Sequence, residues 1–333
     1  MAWEGLIVAG TAAVGVAAIY NERIRRRATL SAPLPPSGAN RWYQWRGHRV
    51  AYTVRGAGSP VVLLHGIHAA ASSFEWRETV PALAHRHTVF TIDLLGFGDS
   101  DRPRVRYSPA LYLALITDFL AEVVSVPAAI VANSLSGAYA IAVAATTPER
   151  AAALVLVQPT GLTRFARNLG RIGDLIRLPI ESPVIGTALC HALTSRRRIR
   201  RGLRRAFADP ARVTDETVDA YYASAHQPGA KHAIAALLSF QLGLDIRGPW
   251  SRLTQPALLC WGSEPWRAPL KDLRAFRRAR ADVEGLVIAD AGDLPHDERA
   301  DDFNEMLTEF LVRLPARPVP GSPASVEHRA SDS

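Results

Sequence analysis

The stretch PAAIVANSLSGAYAIAVAA, from Pro127 to Ala145, contains an apolar run that changes at Ser134 into a series of small residues. The apolar run predicts a strand that is buried on both faces of a sheet, and the small residues predict a closely packed helix directly after it. A serine at such a junction, between the small residues Ala132 and Ser136, is typical of a nucleophile on a strained turn. Two alternatives stay open here: Ser136 as the nucleophile, or Ser134 as an ordinary helix cap.

The alternation of strand and helix continues on both sides of this stretch. Apolar strands are predicted in SPVVLLHG, HTVFTIDLLG, AAALVLVQP, QPALLCWG and GLVIADAG, with helical patterns between most of them. Together with two short strands near residue 47, this predicts an α/β fold with a mostly parallel sheet and helices on both faces. We assign residues 41–160 and 251–314 to this core. Residues 161–250, which are helical and rich in arginine, are predicted to form an inserted lid.

The two ends of the chain differ in composition from the core. Residues 5–20 carry no charge and are followed by NERIRRR, which predicts a single membrane anchor over residues 1–26, spanning or peripheral. Because the positive charges follow the apolar run, the body is expected on the cytoplasmic side of a membrane. Residues 27–40 are interpreted as a Pro-rich linker, and residues 315–333 as a disordered tail.

The net charge of +8 is concentrated in two arginine clusters, one after residue 22 and one in residues 196–205. No aromatic residues alternate with these arginines, so we expect no nucleic-acid partner. The second cluster is either a solvated helix face or a lid surface that contacts anionic lipid headgroups. Cys190 and Cys260 form no metal-type pair, and the sequence has no phosphate-binding loop with glycine and lysine. We therefore expect neither a metal nor another cofactor.

Five motifs follow one another in an order that resembles the α/β-hydrolase superfamily, especially its small esterases, C–C bond hydrolases and dehalogenases. They are His65-Gly66, the stretch from Asp93 to Ser100, the Ser134 turn, Trp261-Gly262 and the stretch from Leu294 to Glu298. The resemblance implies that Ser134 is the nucleophile and that Asp93 is structural. The backbone N–H groups of Ile67 and Leu135 are expected to bind the oxyanion.

The predicted base and acid match the family's motifs less closely than the nucleophile does. In the family, the last strand ends in Gly-His, whereas this chain has Asp293 at that position. His296, three residues later, is the predicted base, and Glu264, in the loop after QPALLCWG, is the predicted acid. Other histidines stay open as alternatives, namely His68 in the oxyanion loop and His191, His226 and His232 in the lid.

Three functions are compatible with these residues. The first is a membrane-associated serine hydrolase that cleaves carboxylic esters, with lipid-like esters among the candidates, through an acyl-enzyme. The second is a catalytically degenerate binding protein, because a carboxylate is a poor base toward a serine hydroxyl. The third is a lyase or acyltransferase on the same fold. The fold does not distinguish them.

Overall fold

The computed structural model describes residues 14–27 and 41–314, and eight strands in these residues form one sheet. The strands are β1 (Arg41–Trp45), β2 (His48–Arg55), β3 (Ser59–Leu64), β4 (His87–Ile92), β5 (Ala128–Asn133), β6 (Ala151–Val157), β7 (Ala257–Gly262) and β8 (Glu284–Ile288). Their order across the sheet is β1-β2-β4-β3-β5-β6-β7-β8. The β1–β2 and β2–β4 pairs are antiparallel and all other pairs are parallel. The predicted mostly parallel α/β sheet is therefore confirmed.

The helices connect the strands and cover the sheet. They are α1 (residues 14–27), α2 (Thr79–Ala84), α3 (Pro109–Phe119), α4 (Ser134–Thr146), α5 (Gly170–Glu181), α6 (Ile185–Leu193), α7 (Arg196–Ala206), α8 (Asp215–Ala225), α9 (Ala230–Leu238), α10 (Arg247–Arg252), α11 (Leu270–Ala279), α12 (Pro295–Glu298) and α13 (Ala300–Val312). Helices α5–α9 lie between β6 and β7, in the segment where the sequence predicts a lid. A 3₁₀ turn at Ser73–Trp76 precedes α2.

The sheet has an apolar core on each face because alternate strand residues point to opposite sides. One core contains Ile130 and Ala132 of β5 with side chains from α3, α4, α10 and α11. The other contains Val131 with side chains from the 3₁₀ turn, α2 and α13. The central strands are thus buried on both faces, which explains their continuous apolar sequences. The loops at the carboxyl ends of β3, β5, β7 and β8 lie along one edge, where α/β sheets place their ligands.

The prediction of a membrane-spanning anchor, and with it of membrane localisation, is wrong. Within residues 14–27 and 41–314, no helix has the length and apolar character needed to cross a bilayer. The described part of the predicted anchor is α1, whose last turns carry Glu22 and several arginines. Its Asn21 side chain donates a hydrogen bond to the Val184 carbonyl oxygen at 2.9 Å, so α1 contacts the segment between α5 and α6. Residues 1–13, the remainder of the predicted anchor, lie outside the described residues, as do residues 28–40 and 315–333 of the predicted linker and tail.

Candidate active site

The candidate nucleophile Ser134 stands where β5 ends and α4 begins. We call Ala132–Gly137 the serine turn. Ser134 has a φ of +54°, a left-handed conformation that non-glycine residues rarely adopt. The side chain is partly exposed, and its Oγ makes no hydrogen bond to any described residue. A Cβ added at Gly137 would come within 2.9 Å of the Pro159 Cβ, so the turn requires a small residue there. The strained serine at a strand–helix junction is the geometry of a nucleophile turn.

The predicted oxyanion donors lie on either side of this serine. Leu135 is in the first turn of α4, where backbone N–H groups have no partner within the helix. Ile67 lies in the loop that follows β3 and begins with His65-Gly66, which we call the oxyanion loop. Among the described residues, the Ile67 N–H donates no hydrogen bond. His65, two residues before Ile67, is fully buried. Its Nε2 accepts from the Leu94 N–H at 3.0 Å, while Nδ1 lies 2.7 Å from the Gly66 oxygen. His65 therefore holds the loop and has no ring nitrogen left for catalysis.

Glu75 is a central residue of the site that the sequence did not identify. Its side chain is almost completely buried, and its Oε1 accepts from the Gly66 N–H at 2.8 Å and from the Asn133 Nδ2 at 3.2 Å. Burial raises the pKa of the Glu75 carboxyl to about 8. The sequence pattern predicts a helix that begins at Ser72 or Ser73 and includes Glu75, and it gives this residue no role in the site. In the structure it belongs to the 3₁₀ turn and points inward.

The predicted base, His296, lies next to Glu75. The ring is fully buried against Trp76, with ring centroids 4.4 Å apart, and its Nε2 is 3.8 Å from Glu75 Oε1. Neither ring nitrogen has a hydrogen-bond partner among the described residues. Burial, with a smaller contribution from the charge of Arg77, lowers the pKa of His296 to about 3. Because burial disfavours both charged forms, the pair is neutral at neutral pH, with the proton on Glu75.

Glu264, the predicted acid, is exposed on the loop after β7. Its backbone N–H donates to the Ala291 oxygen at 2.9 Å, but its carboxylate contacts neither His296 nor Ser134 through any hydrogen bond or ion pair between described residues. The described contacts thus pair His296 with Glu75 and leave Glu264 at the surface.

Asp293, which the sequence predicts at the position of the family's histidine, is buried. Its carboxylate accepts from the Arg267 N–H at 2.8 Å and, more weakly, from the Ala268 N–H at 3.4 Å. Burial raises the pKa of Asp293, while the Arg267 N–H and the Arg267 charge oppose this rise. The side chain is therefore directed at the backbone of the loop that should supply the acid.

The segment around Asp293 is held by residues other than Asp293 itself. We call Ala291–Glu298 the base loop. The buried Glu298 carboxylate accepts from three backbone N–H groups, those of Gly292, Ala208 and Asp209, at 2.6–3.0 Å. Gln158 donates to the Gly292 oxygen at 2.8 Å. These bonds tie the base loop to β6 and to the end of α7.

The remaining candidates have structural contacts. Asp93 accepts from the Ser73 and Asp99 N–H groups at 2.6 and 2.8 Å, as expected for a structural residue. His68 accepts from the Ala70 N–H through Nδ1, and its Nε2 lies 4.0 Å from Glu75 Oε2. The three histidines of the inserted helices contact one another or nearby side chains: His191 and His226 through their rings, and His232 through Glu181.

No group of three or more His, Cys, Asp or Glu side chains in the described ranges is arranged to hold a metal ion.

Residues 61–306 match the sequence profile of the alpha/beta hydrolase family. The chain belongs to this family. An alpha/beta hydrolase from Metapseudomonas resinovorans, named 2-hydroxy-6-oxo-6-(2'-aminophenyl)hexa-2,4-dienoic acid hydrolase, is 26% identical over 276 residues. The alignment covers 80% of this chain and 89% of that protein. The solved structure of a meta-cleavage product hydrolase (CumD, A129V mutant) superposes with a TM-score of 0.68 at 26% identity. It covers 82% of this chain and 97% of that one.

A shorter but more similar match is an uncharacterized protein of Mycobacterium tuberculosis. It is 34% identical over 151 residues, which are 43% of this chain and 44% of that protein. The alignment thus spans less than half of that relative. As an alpha/beta hydrolase, this chain has relatives named as hydrolases, and its fold superposes on that of the meta-cleavage product hydrolase.

Proposed function

We propose that this chain is a serine hydrolase that cleaves carboxylic esters through an acyl-enzyme on Ser134. The observation that supports it best is the φ of +54° at Ser134. A left-handed non-glycine residue costs about 1–3 kcal/mol, persists only where the surrounding structure enforces it, and is frequent at active sites. Here the strained residue is a partly exposed serine at a strand–helix junction, and its Oγ has no hydrogen-bond partner among the described residues.

In this reaction the Ser134 Oγ attacks the ester carbonyl carbon, and the carbonyl oxygen becomes negative. The N–H groups of Ile67 and Leu135 would stabilise that charge. The alcohol or phenol then leaves, and water hydrolyses the acyl-enzyme. His296 stays the proposed base for these proton transfers.

The position of His296 limits the substrates. Its imidazole is fully buried and its pKa is lowered to about 3, so it accepts a proton weakly. Leaving groups that depart as stable anions need the least help from an acid. We therefore propose that aryl or enol esters, rather than simple alkyl esters, are the preferred substrate class.

A fluorophosphonate probe tests the nucleophile directly. The wild-type protein should be labelled on Ser134, and p-nitrophenyl acetate should give a burst of one p-nitrophenol per chain. Ser134→Ala should lose both signals. Ser136→Ala is the matched control, because the Ser136 Oγ donates to the His65 oxygen and is not free to attack. Labelling that disappears in Ser136→Ala but persists in Ser134→Ala would contradict the assignment.

A second candidate function is a binding protein that has lost catalysis. The observation that favours it is the carboxylate of Asp293 at the family's base position, occupied by two backbone N–H groups. A folded wild-type protein that shows neither labelling nor a burst would support this candidate against the first.

A further inference from the structure

One buried oxygen connects the two halves of the candidate oxyanion hole. Glu75 Oε1 accepts from the Gly66 N–H and from the Asn133 side-chain amide. Gly66 immediately precedes Ile67, and Asn133 immediately precedes Ser134. Ile67 and Ser134 are thus each preceded by a residue that Glu75 holds.

The spacing between the two loops is tight at this point. A Cβ added at Gly66 would come within 2.9 Å of the Asn133 Nδ2. The two loops can approach only because residue 66 has no side chain. A single acceptor, Glu75 Oε1, then satisfies both donors.

We propose that Glu75 is a positioning residue that sets the distance between the oxyanion loop and the serine turn. Only the expected change in reaction rate rests on the proposed function. The positioning itself rests on the hydrogen bonds of Glu75. Oxyanion donors act only when they lie about 2.7–3.1 Å from the developing charge, so a small shift of the Ile67 N–H relative to Ser134 lowers the rate. The role needs an acceptor oxygen at Glu75, not a negative charge.

The charges around Glu75 agree with a neutral acceptor. His68 and His296 face its two oxygens, and burial lowers the pKa of each ring to about 3, so both are neutral. The charges of Arg77 and Asp297 act on the Glu75 pKa in opposite directions, and the two residues are paired with each other. The pKa of Glu75 itself is raised to about 8 by burial. Below that pH the carboxyl is protonated, and above it a buried negative charge appears near the oxyanion donors.

The test compares Glu75→Gln, which keeps the acceptor oxygen, with Glu75→Leu, which removes it. We expect Glu75→Leu to lower the rate of fluorophosphonate labelling and the kcat of ester cleavage about 10²-fold, with little change in KM. Glu75→Gln should retain most of the wild-type rate. The wild-type rate should fall as the pH rises through about 8, and the Glu75→Gln rate should not. The exposed Glu305→Gln is the control for the loss of one carboxylate.

Two results would overturn the proposal: a folded Glu75→Leu that reacts as fast as the wild type, or a Glu75→Gln as slow as Glu75→Leu. If Glu75→Leu does not fold, Asn133→Ala removes one donor from the opposite side and should lower kcat in the same direction.

Hydrogen exchange at the Gly66 amide separates this proposal from the proposed function. If the wild type is not labelled at all, the hydrolase assignment fails, but the Gly66 amide should still exchange faster in Glu75→Leu. Unchanged exchange would overturn the positioning role.

Discussion

The serine turn and the base loop lie at the same edge of the sheet but are built in different ways. The serine turn depends on backbone geometry and small residues: Ser134 is left-handed, and Gly137 has no room for a side chain beside Pro159. The base loop depends on polar side chains, since Glu298 accepts three backbone N–H groups and Gln158 donates a fourth bond.

This difference shows where the site can change without losing its fold. The bonds of Glu298 and Gln158 hold the backbone of the base loop without the side chain of residue 293, so this residue can be replaced while the loop keeps most of its contacts. In the serine turn the reactive residue and the strained backbone are the same residue. The sequence accordingly predicts a departure from the family at Asp293 and not at Ser134.

The largest expected effect is at Asp293. Asp293→His should raise ester turnover by about 10²-fold or more, because an imidazole with an ordinary pKa of about 6.5 is a far better general base than a carboxylate. Steady-state hydrolysis of p-nitrophenyl acetate measures it. Asp293→Asn is the matched control, because it keeps an acceptor for the Arg267 N–H but adds no base. An equal gain in both variants, or no gain in a folded Asp293→His, would show that residue 293 is not the base position.

A smaller effect concerns stability and pH at His296. Its pKa is lowered to about 3 by burial, so the unfolded chain binds the proton first as the pH falls below 6.5. The wild type should therefore lose about 2 kcal/mol of unfolding free energy between pH 6.5 and 5 through this group. His296→Gln should lose correspondingly less over the same range in urea unfolding.

Glu75 gives the opposite pH dependence of the unfolding free energy. Because its pKa is raised to about 8, the stability that this group contributes falls as the pH rises from about 4.5 to 8. The His296→Gln comparison must therefore be made against wild type at each pH. Equal slopes for the two proteins would mean that His296 is not buried and neutral. Unchanged ester turnover in this variant would exclude His296 as the base.

The sequence was sufficient for the fold and for the backbone part of the site. Continuous apolar strands and the small residues after Ser134 are local patterns that the structure reproduces. These features follow from hydrophobic periodicity and residue size, which can both be read along the chain.

The remaining features depend on contacts between distant segments. Glu75 and Asn133 are 58 positions apart, so their hydrogen bond has no local sequence pattern. The burial of Glu75 depends on the 3₁₀ turn, which directs its side chain inward. His296 pairs with the same carboxyl and not with Glu264. The prediction of a membrane anchor was wrong for a different reason. An uncharged stretch in the sequence does not by itself establish a spanning helix, and the described helix α1 ends in charged residues.

The smallest expected effect tests the rule that the serine turn needs small residues. Gly137→Ala places a Cβ 2.9 Å from the Pro159 Cβ, and this overpacking lowers the free energy of unfolding by about 1–3 kcal/mol. Replacing a helical glycine by alanine raises it by up to about 1 kcal/mol. We expect a net loss of about 1 kcal/mol in urea unfolding. Gly202→Ala in α7 is the matched control, because nothing lies within 4 Å of its added Cβ, so only the gain remains. The two substitutions should therefore shift the unfolding midpoint in opposite directions. A shift in the same direction would mean that Pro159 can move away, and that the serine turn tolerates side chains as readily as an exposed helix does.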